Sequence, residues 1–378
     1  MRIQKSSRIQ FAKLRACGKA QEPGDAKGIK MEDRFRRQKA FVEVGESGQK
    51  LLSEARVAIC GVGALGAMVA ERLCRTGVGF LRLIDRDWVE LDNLPRQALF
   101  TTRDALEVQP KSIAAREHLL AIDPNIEVQP IVQDLTYVNA MQLISDVDCI
   151  IDGTDNFETR YLINDLSIRC GIPWVHAGIV GASGQSMTFV PGKTACFRCL
   201  LPDPPPVEQM QTCDSAGVLG AAVGVIASWQ AMEATKILLK KEIAGDGFLR
   251  VFDLWAGDVR KIRVPRNVRN ASSDPSVVGC KSCVRGELDF LDGKIGTSAR
   301  VLCGRGAVQI QSSGRDPIDL AVLSTRLRLH GHVLETPFLL RFTFPPYVVS
   351  VFKDGRAIVQ GTENPDEARK IYARFVGS

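Results

Sequence analysis

Residues 56–85, RVAICGVGALGAMVAERLCRTGVGFLRLID, restrict what this chain can fold into more than any other stretch. RVAIC reads as a short buried strand, Gly61 to Gly66 as a turn, residues 67–77 as a helix, and FLRLID as a second strand. That order opens a parallel α/β sheet. Within the turn, Gly61-Val62-Gly63-Ala64-Leu65-Gly66 matches G-x-G-x-x-G. Its glycines let the backbone approach a polyphosphate, whose charge the following helix N-terminus stabilises. Asp85 ends the second strand, where a carboxylate bonds ribose hydroxyls. So far the pattern suits a dinucleotide and ATP equally.

The alternation continues. Strands are expected at 126–133, 148–153 and 172–179, with helices at about 110–121, 137–144 and 157–170. This predicts a Rossmann-like, doubly wound, mostly parallel sheet with helices on both faces. After residue 192 the pattern changes. LPDPPPVEQMQTCDSAG (201–217) is too long and proline-rich for a simple connection and reads as a mobile crossover. The apolar run 216–229 is shorter than the ~20 residues a membrane span needs. Gln230, Glu233 and Lys236 continue its helix, so it is expected to be buried, with small residues suited to close packing, across a subunit interface included. Strand-like pieces follow at 248–253 and 259–264.

Residues 286–299 read as a linker and 300–378 as a separate small α+β domain. There the pattern gives a strand at 306–311, a helix at 318–330, strands near 338–343, 347–352 and 356–360, and a last helix at 365–375. Lys353-Asp354-Gly355 is a hairpin turn. The expected organisation is therefore a basic tail (1–30), a main domain (31–285), the linker and the small domain.

The net charge of +6 belongs to the tail. Residues 1–21 hold Arg2, Lys5, Arg8, Lys13, Arg15 and Lys19 with no acid, whereas the chain from Met31 onward is neutral. The body therefore gives no electrostatic reason to expect nucleic-acid binding. The tail lacks the apolar core of a secretory signal. It reads as a disordered extension, or as sequence upstream of a start at Met31, with an organelle transit peptide as the lesser alternative, and the protein is expected in the cytoplasm, with no membrane partner.

What separates ATP from a dinucleotide is the run after Asp85. In DRDWVELDNLPRQ, Asn93, Arg96 and Gln97 follow within about a dozen residues and can fold back over the same pocket. Lys111 opens the next helix behind Pro110, which suits a first turn. Later, IIDGTDN (150–156) brings Asp152, Asp155 and Asn156 to the sheet edge where α/β proteins bind ligands. A ribose acid, two cations and a later carboxylate suit a nucleoside triphosphate with Mg²⁺.

The eleven cysteines accompany no export signal, which favours metal or thiol chemistry over a disulfide framework. Cys196-x-x-Cys199 and Cys280-x-x-Cys283 carry four thiolates that can close a tetrahedral Zn²⁺ site pinning the end of the main domain to its body. Cys213 lies in the crossover loop, an accessible position that suits a nucleophile. Cys60, Cys74, Cys149 and Cys170 fall on core-like elements and are expected to pack. Cys303 is expected to be structural, and the four histidines form no ligand spacing.

Taken together, GVGALG, LIDRDWVELDNLPRQ, QPK at Lys111, DGTDN, CFRCL, GVIASWQAMEATK and CKSC resemble the ThiF/MoeB/HesA superfamily, adenylating enzymes related to ubiquitin-activating enzymes. The resemblance covers roughly 31–285 with the motifs in order. It implies ATP-dependent adenylation of the C-terminal glycine carboxylate of a small ubiquitin-like sulfur carrier, with release of pyrophosphate. Gly61, Gly63, Gly66 and Asp85 would hold ATP; Ala64 stands where relatives often have another glycine. Asn93, Arg96 and Lys111 would bind phosphates and Asp155 would hold Mg²⁺. Asp87, Gln97 and Asn156 complete the expected nucleotide-binding set.

RFRRQ (34–38) is similar to the family's R-Y-x-R-Q, which makes Arg37 a candidate arginine acting in the partner subunit's site and implies a homodimer. Relatives that form acyl-disulfide or thioester intermediates carry a cysteine at the place of Cys213, and members that only adenylate can keep one too. The small domain is not similar to a rhodanese. Residues 351–377 weakly resemble half of a TATA-binding-protein-like fold, without implying DNA binding, and docking of a carrier or acceptor is the expected role. Three rivals stand beside this reading. Conjugation through a thioester at Cys213 is one. A silent binding homologue is opposed by the intact Arg96, Lys111 and Asp155. An NAD(P) dehydrogenase is opposed by the cations and the paired cysteines.

Overall fold

The computed structural model describes residues 34–205, 216–242, 244–266, 279–295, 299–302, 306–310, 318–353 and 355–377. The basic tail, Met31, Cys213 with the middle of the crossover loop, Cys303 and Asp354 of the hairpin turn lie outside the described residues.

The main domain runs α1 (Arg36–Lys39), α2 (Gly45–Glu54), β1 (Arg56–Cys60), α3 (Ala64–Thr76), β2 (Phe80–Ile84), α4 (Thr102–Leu106), α5 (Lys111–Ile122), β3 (Glu127–Ile131), α6 (Ala140–Ile144), β4 (Cys149–Asp152), α7 (Phe157–Cys170), β5 (Trp174–Val180), β6 (Ser183–Phe189), α8 (Phe197–Leu200), α9 (Gly220–Leu238), β7 (Phe248–Asp253) and β8 (Asp258–Arg263). Its strands form one sheet in the order β3-β2-β1-β4-β5-β6-β7-β8. The five strands from β3 to β5 are parallel; β6, β7 and β8 add on antiparallel. The sheet is thus parallel in the half expected from sequence and antiparallel beyond it. β6, which the sequence reading passed over, turns the chain back at Gly181, where φ is +62°.

Alternation along the strands divides the core. Val57 and Ile59 of β1 face a cluster with Leu65, Val69 and Leu73 of α3, Leu119 of α5, and Val223, Ile226 and Ala227 of α9. Ala58 and Cys60 face the opposite cluster, with Ile144 of α6 and Tyr161, Leu162 and Leu166 of α7. The buried α9 begins with Gly220, where an added Cβ would lie 2.3 Å from the Pro95 carbonyl oxygen, so helix and loop meet backbone to backbone. No helix among the described residues is long and apolar enough to cross a membrane.

Residues 286–295 are not a free linker. Leu288, Phe290 and Leu291 are buried, and the Phe290 ring stacks on Tyr161 at 4.9 Å. The Phe290 and Leu291 amides donate to Asp165 Oδ2 at 3.1 and 3.4 Å. An apolar triplet with a buried acceptor beneath it seals the end of the main domain.

The small domain comprises β9 (Ala299–Leu302), β10 (Ala307–Ile310), α10 (Leu320–Leu327), β11 (His332–Glu335), β12 (Leu339–Phe344), β13 (Tyr347–Phe352), β14 (Ala357–Gln360) and α11 (Pro365–Phe375). They make an antiparallel sheet in the order β11-β12-β13-β14-β10-β9. One face carries α10 and α11 over Val308, Phe342, Val349 and Val359. The other buries Ala307, Leu339, Phe352 and Ile358 against Trp88 and Val108 of the main domain. The small domain therefore rests on the loop that follows β2.

Candidate functional site

The glycine turn is a cradle that side chains would fill. Gly61 has φ +85°, and a Cβ there would lie 2.7 Å from the Gly153 carbonyl oxygen. At Gly66 it would lie 1.9 Å from the Gly61 oxygen, and at Gly153 2.3 Å from that same oxygen. The turn after β1 and the start of α3 therefore pack on the turn after β4, leaving amides at the mouth open to an anion. Gly63 precedes α3 and Ala64 is its first residue. Gly153 escaped the sequence reading; the glycine inside DGTDN was its signal.

Asp85 closes the cradle from β2. Its Oδ2 accepts from the Val62 amide at 2.6 Å and its Oδ1 from the Asp87 amide at 2.7 Å. Burial pushes its carboxyl above the usual range, against Lys111 and those two amides. Each oxygen keeps a further lone pair for a ligand hydroxyl.

Lys111 is brought in by backbone pairing rather than by α5 alone. Trp88 and Pro110 form an antiparallel bridge, the Val89 amide donates to the Gln109 carbonyl, and the Lys111 amide donates to the Asp87 carbonyl, both at 2.8 Å. The Lys111 side chain, 4% exposed, then points its Nζ to within 3.3 Å of Asp87 Oδ2. A buried ammonium beside the cradle is an electrostatic receptor for phosphate oxygens.

The loop expected to fold back does so. Asn93 is buried and ties a 3₁₀ turn, its Nδ2 donating to Asp92 Oδ1 at 2.8 Å. Arg96 Nη1 donates to the Asp92 carbonyl at 2.6 Å. Gln97 lies over the cradle, its amide nitrogen 3.9 Å from where a Gly63 Cβ would be. Gln97 Oε1 is buried and has no hydrogen-bond partner among the described residues. A buried acceptor left open at the mouth of a pocket fits a ligand donor.

The acids after β4 divide into two kinds. Asp152 is fully buried and saturated: Oδ1 accepts from the Thr154 amide (3.0 Å) and hydroxyl (2.6 Å), and Oδ2 from Arg160 Nε at 3.1 Å and His176 Nδ1 at 2.7 Å. Burial opposes its ionisation, but Arg160 and His176 hold its carboxyl below the usual range. Burial lowers His176, so the neutral ring donates from Nδ1 to Asp152 and accepts from Gln185 at Nε2, 3.3 Å away. Gln230 of α9 ties this network to the sheet through the Asp152 and Val175 carbonyls, each at 2.8 Å. Asp155 is exposed, with no hydrogen-bond or ion-pair partner among the described residues, and its charge is felt at Arg86. Asn156 caps α7 through the Thr159 amide at 2.9 Å. Asp155 thus has the valence for a cation that Asp152 lacks.

The four cysteines meet. Cys196 Sγ lies 3.9 Å from Cys199 Sγ and 3.5 Å from Cys280 Sγ, and Cys199 Sγ lies 3.6 Å from Cys283 Sγ. All four sulfurs fall within 4.8 Å of one another. Zn–S bonds of about 2.3 Å give a sulfur tetrahedron with edges of ~3.8 Å, so the set fits zinc. Asp165 supports the knot from below, accepting from Ser282 Oγ at 3.1 Å; burial pushes it up to about 6 despite Arg198. Burial raises the Cys60, Cys74 and Cys149 thiols, as suits packing residues.

Arg37 lies in α1, exposed and unpaired among the described residues. The neighbouring Phe41 and Val42 are 59% and 86% exposed.

Residues 35–273 match the ThiF family. A Bacillus subtilis protein named sulfur carrier protein ThiS adenylyltransferase is 40% identical over 348 residues, covering 92% of this chain and all of that protein. A Thermus thermophilus sulfur carrier protein adenylyltransferase is 38% identical over 63% of this chain and 89% of its own. Among solved structures, Escherichia coli MccB with ATP shares the fold, with a TM-score of 0.53 at 23% identity over 62% of this chain and 72% of that one. By the extent of these matches, this chain belongs to the ThiF family.

Proposed function

We propose that the protein is an ATP-dependent adenylyltransferase that activates the C-terminal glycine carboxylate of a small ubiquitin-like sulfur carrier. The observation that carries this reading is the buried Lys111–Asp87 pair set beside a glycine cradle closed by Asp85. A dehydrogenase has no use for such a cation there, and the 40% identity to a ThiS adenylyltransferase supports the same reaction.

Gly61, Gly63, Ala64 and Gly66 receive the phosphates, and Asp85 and Gln97 bind the nucleoside. Asn93, Arg96 and Lys111 draw charge from the β- and γ-phosphates, with Asp87 orienting Lys111 and Asn156 framing the pocket beside Asp155. Asp155 would hold Mg²⁺, which when bound would neutralise charge on the departing pyrophosphate. A carrier carboxylate oxygen bonds to the α-phosphorus while the α–β anhydride bond breaks and its electron pair leaves with pyrophosphate. The acyl adenylate is then open to a sulfur donor or to the Cys213 thiolate, with AMP as leaving group.

Arg37 completes the site of a partner subunit in a homodimer, a role supported by its exposed guanidinium, unpaired among the described residues, beside exposed Phe41 and Val42. Cys196, Cys199, Cys280 and Cys283 would hold Zn²⁺ in a structural role, since four thiolate ligands would leave no position for substrate. The reaction takes place in the cytoplasm. Incubation with ATP and a ThiS-type carrier should give a mass-detectable acyl adenylate on the carrier. A carrier shortened by its terminal glycine should give none, and labelling of that shortened carrier would refute the assignment. Mixing Arg37→Ala with Asp155→Ala subunits should restore part of the activity that each lacks alone; no recovery in a mixed dimer contradicts the trans arginine.

A further inference from the structure

The small domain touches the nucleotide loop at two residues that the adenylation reading leaves without a task. Arg86 and Trp88 flank Asp87 in sequence, and both side chains reach the antiparallel sheet, Arg86 while staying 3.6 Å from Asp87. Arg86 Nη1 donates to Asp134 Oδ1 at 2.8 Å and also to Gln309 Oε1 of β10. Gln309 Nε2 in turn donates to Asp134 Oδ2 at 2.6 Å, closing a three-membered ring of polar groups across the two domains. Burial pulls the Arg86 guanidinium down, but Asp134, Asp87 and Asp155 more than offset it, so it stays charged. Beside this ring the Trp88 indole meets the Phe352 ring of β13 at 6.0 Å, and Trp88 and Phe352 are both nearly buried.

The backbone of the same three residues carries the site. Asp87 and Trp88 pair with Gln109–Lys111, so the strip that the small domain grips is the strip that sets Lys111 against Asp87. Asp85 is anchored to it through the Asp87 amide. Without the small domain, Trp88 would expose a large apolar face and Arg86 would lose its Gln309 acceptor. The strip would then keep its short ladder to residues 109–111 and the Arg86–Asp134 bond, but lose the Gln309 contact and the apolar cover that fix its three charged groups in register.

We infer that the antiparallel domain is a clamp on the nucleotide site: through Gln309 on Arg86 and Phe352 on Trp88 it holds the Asp85–Asp87–Lys111 strip in its ATP-binding geometry. Arg86, Trp88, Gln309 and Phe352 are positioning residues. This rests on the reading of the pocket as an ATP site, and it gives the small domain a task other than docking the carrier.

The experiment uses the full chain and two readouts: ATP affinity by calorimetry without carrier, and separate KM values for ATP and for a ThiS-type carrier in pyrophosphate exchange. Gln309→Ala and Phe352→Ala should each weaken ATP binding roughly tenfold, in the usual range for energetic coupling between sites. The carrier KM should stay within about twofold on the same scale. Phe352→Leu, which refills the Trp88 contact, should recover most of the ATP affinity. Phe375→Leu, on the opposite face of the same sheet, should loosen the domain and leave ATP binding unchanged. ATP constants unchanged in Gln309→Ala and Phe352→Ala, or a rise confined to the carrier KM, overturn the clamp. So does a loss of ATP affinity in Phe375→Leu equal to that in Phe352→Ala, which would mark a general effect of stability. A wild-type chain that binds ATP but shows no carrier-dependent exchange refutes the adenylation reading alone, because the clamp is then decided by the calorimetry.

Discussion

The nucleotide pocket and the cysteine knot are both polar centres built on the same sheet, yet their residues are used in opposite ways. In the knot every sulfur faces other sulfurs at 3.5–3.9 Å, and the buried Asp165 beneath it has both oxygens engaged. In the pocket, among the described residues, Gln97 Oε1 is buried without a partner, Asp155 stands exposed, and Lys111 reaches one carboxylate with two of its three donors to spare. Saturation marks a centre that holds the chain together; spare valence marks one that waits for a ligand. Substitutions should therefore separate stability from activity according to which centre they touch.

The largest effect is expected at the knot. Structural zinc sites contribute apparent free energies of ~10 kcal/mol in small peptides, so Cys280→Ser or a strong chelator should lower the melting temperature sharply. Metal analysis should find one zinc for each chain, and chelation should expose the four cysteines to a thiol reagent. Activity lost before the fold is lost would break the comparison by giving the knot a chemical role.

Asp152→Ala comes next. It sits three residues from Asp155 but belongs to the saturated class, and its removal strands Arg160 and His176 in the core. Breaking a buried pair of this kind costs about 3–5 kcal/mol, readable as a shift of the denaturant midpoint.

Lys111→Met belongs to the other class. Arg86 remains 3.6 Å from Asp87, so the fold should tolerate the change, while exchange falls by about 10²-fold, the scale for removing one preorganised charge stabiliser. A collapse of stability equal to that of Asp152→Ala would dissolve the distinction.

Smallest is Gln97→Leu. Its open Oε1 contributes nothing to folding, so stability should hold or rise slightly, and the ATP KM should increase several-fold for one lost hydrogen bond of ~1 kcal/mol. An unchanged KM would remove Gln97 from the pocket.

The sequence revealed each centre to a different depth. The strand–cradle–helix unit was legible because buried parallel strands are unbroken apolar runs and because a cradle closed by Gly61 and Gly66 excludes any other residue. The two cysteine pairs were legible from spacing alone. β6 was not, because Ser186 and Thr188 are buried polar residues satisfied by the His176 carbonyl and by Glu233, which hydropathy cannot foresee. Nor was β11, of which only Val333 is buried. The place of Pro95, whose carbonyl meets Gly220 backbone to backbone, depends on a contact across 125 positions. The division of labour between Asp152 and Asp155 depends on Arg160 and His176, which only the fold brings close. The grip on Arg86 joins residues 223 positions apart, beyond any local pattern.

The central claim is adenylation by the residues with spare valence, and the most direct measurement is carrier-dependent exchange of pyrophosphate into ATP by wild type, Asp155→Ala and Cys213→Ala. Exchange is expected in wild type and in Cys213→Ala, since the proposed role of Cys213 begins only after the acyl adenylate has formed, with a loss of about 10²–10³-fold in Asp155→Ala at an unchanged melting temperature. Full exchange in Asp155→Ala, or none in Cys213→Ala, would contradict it.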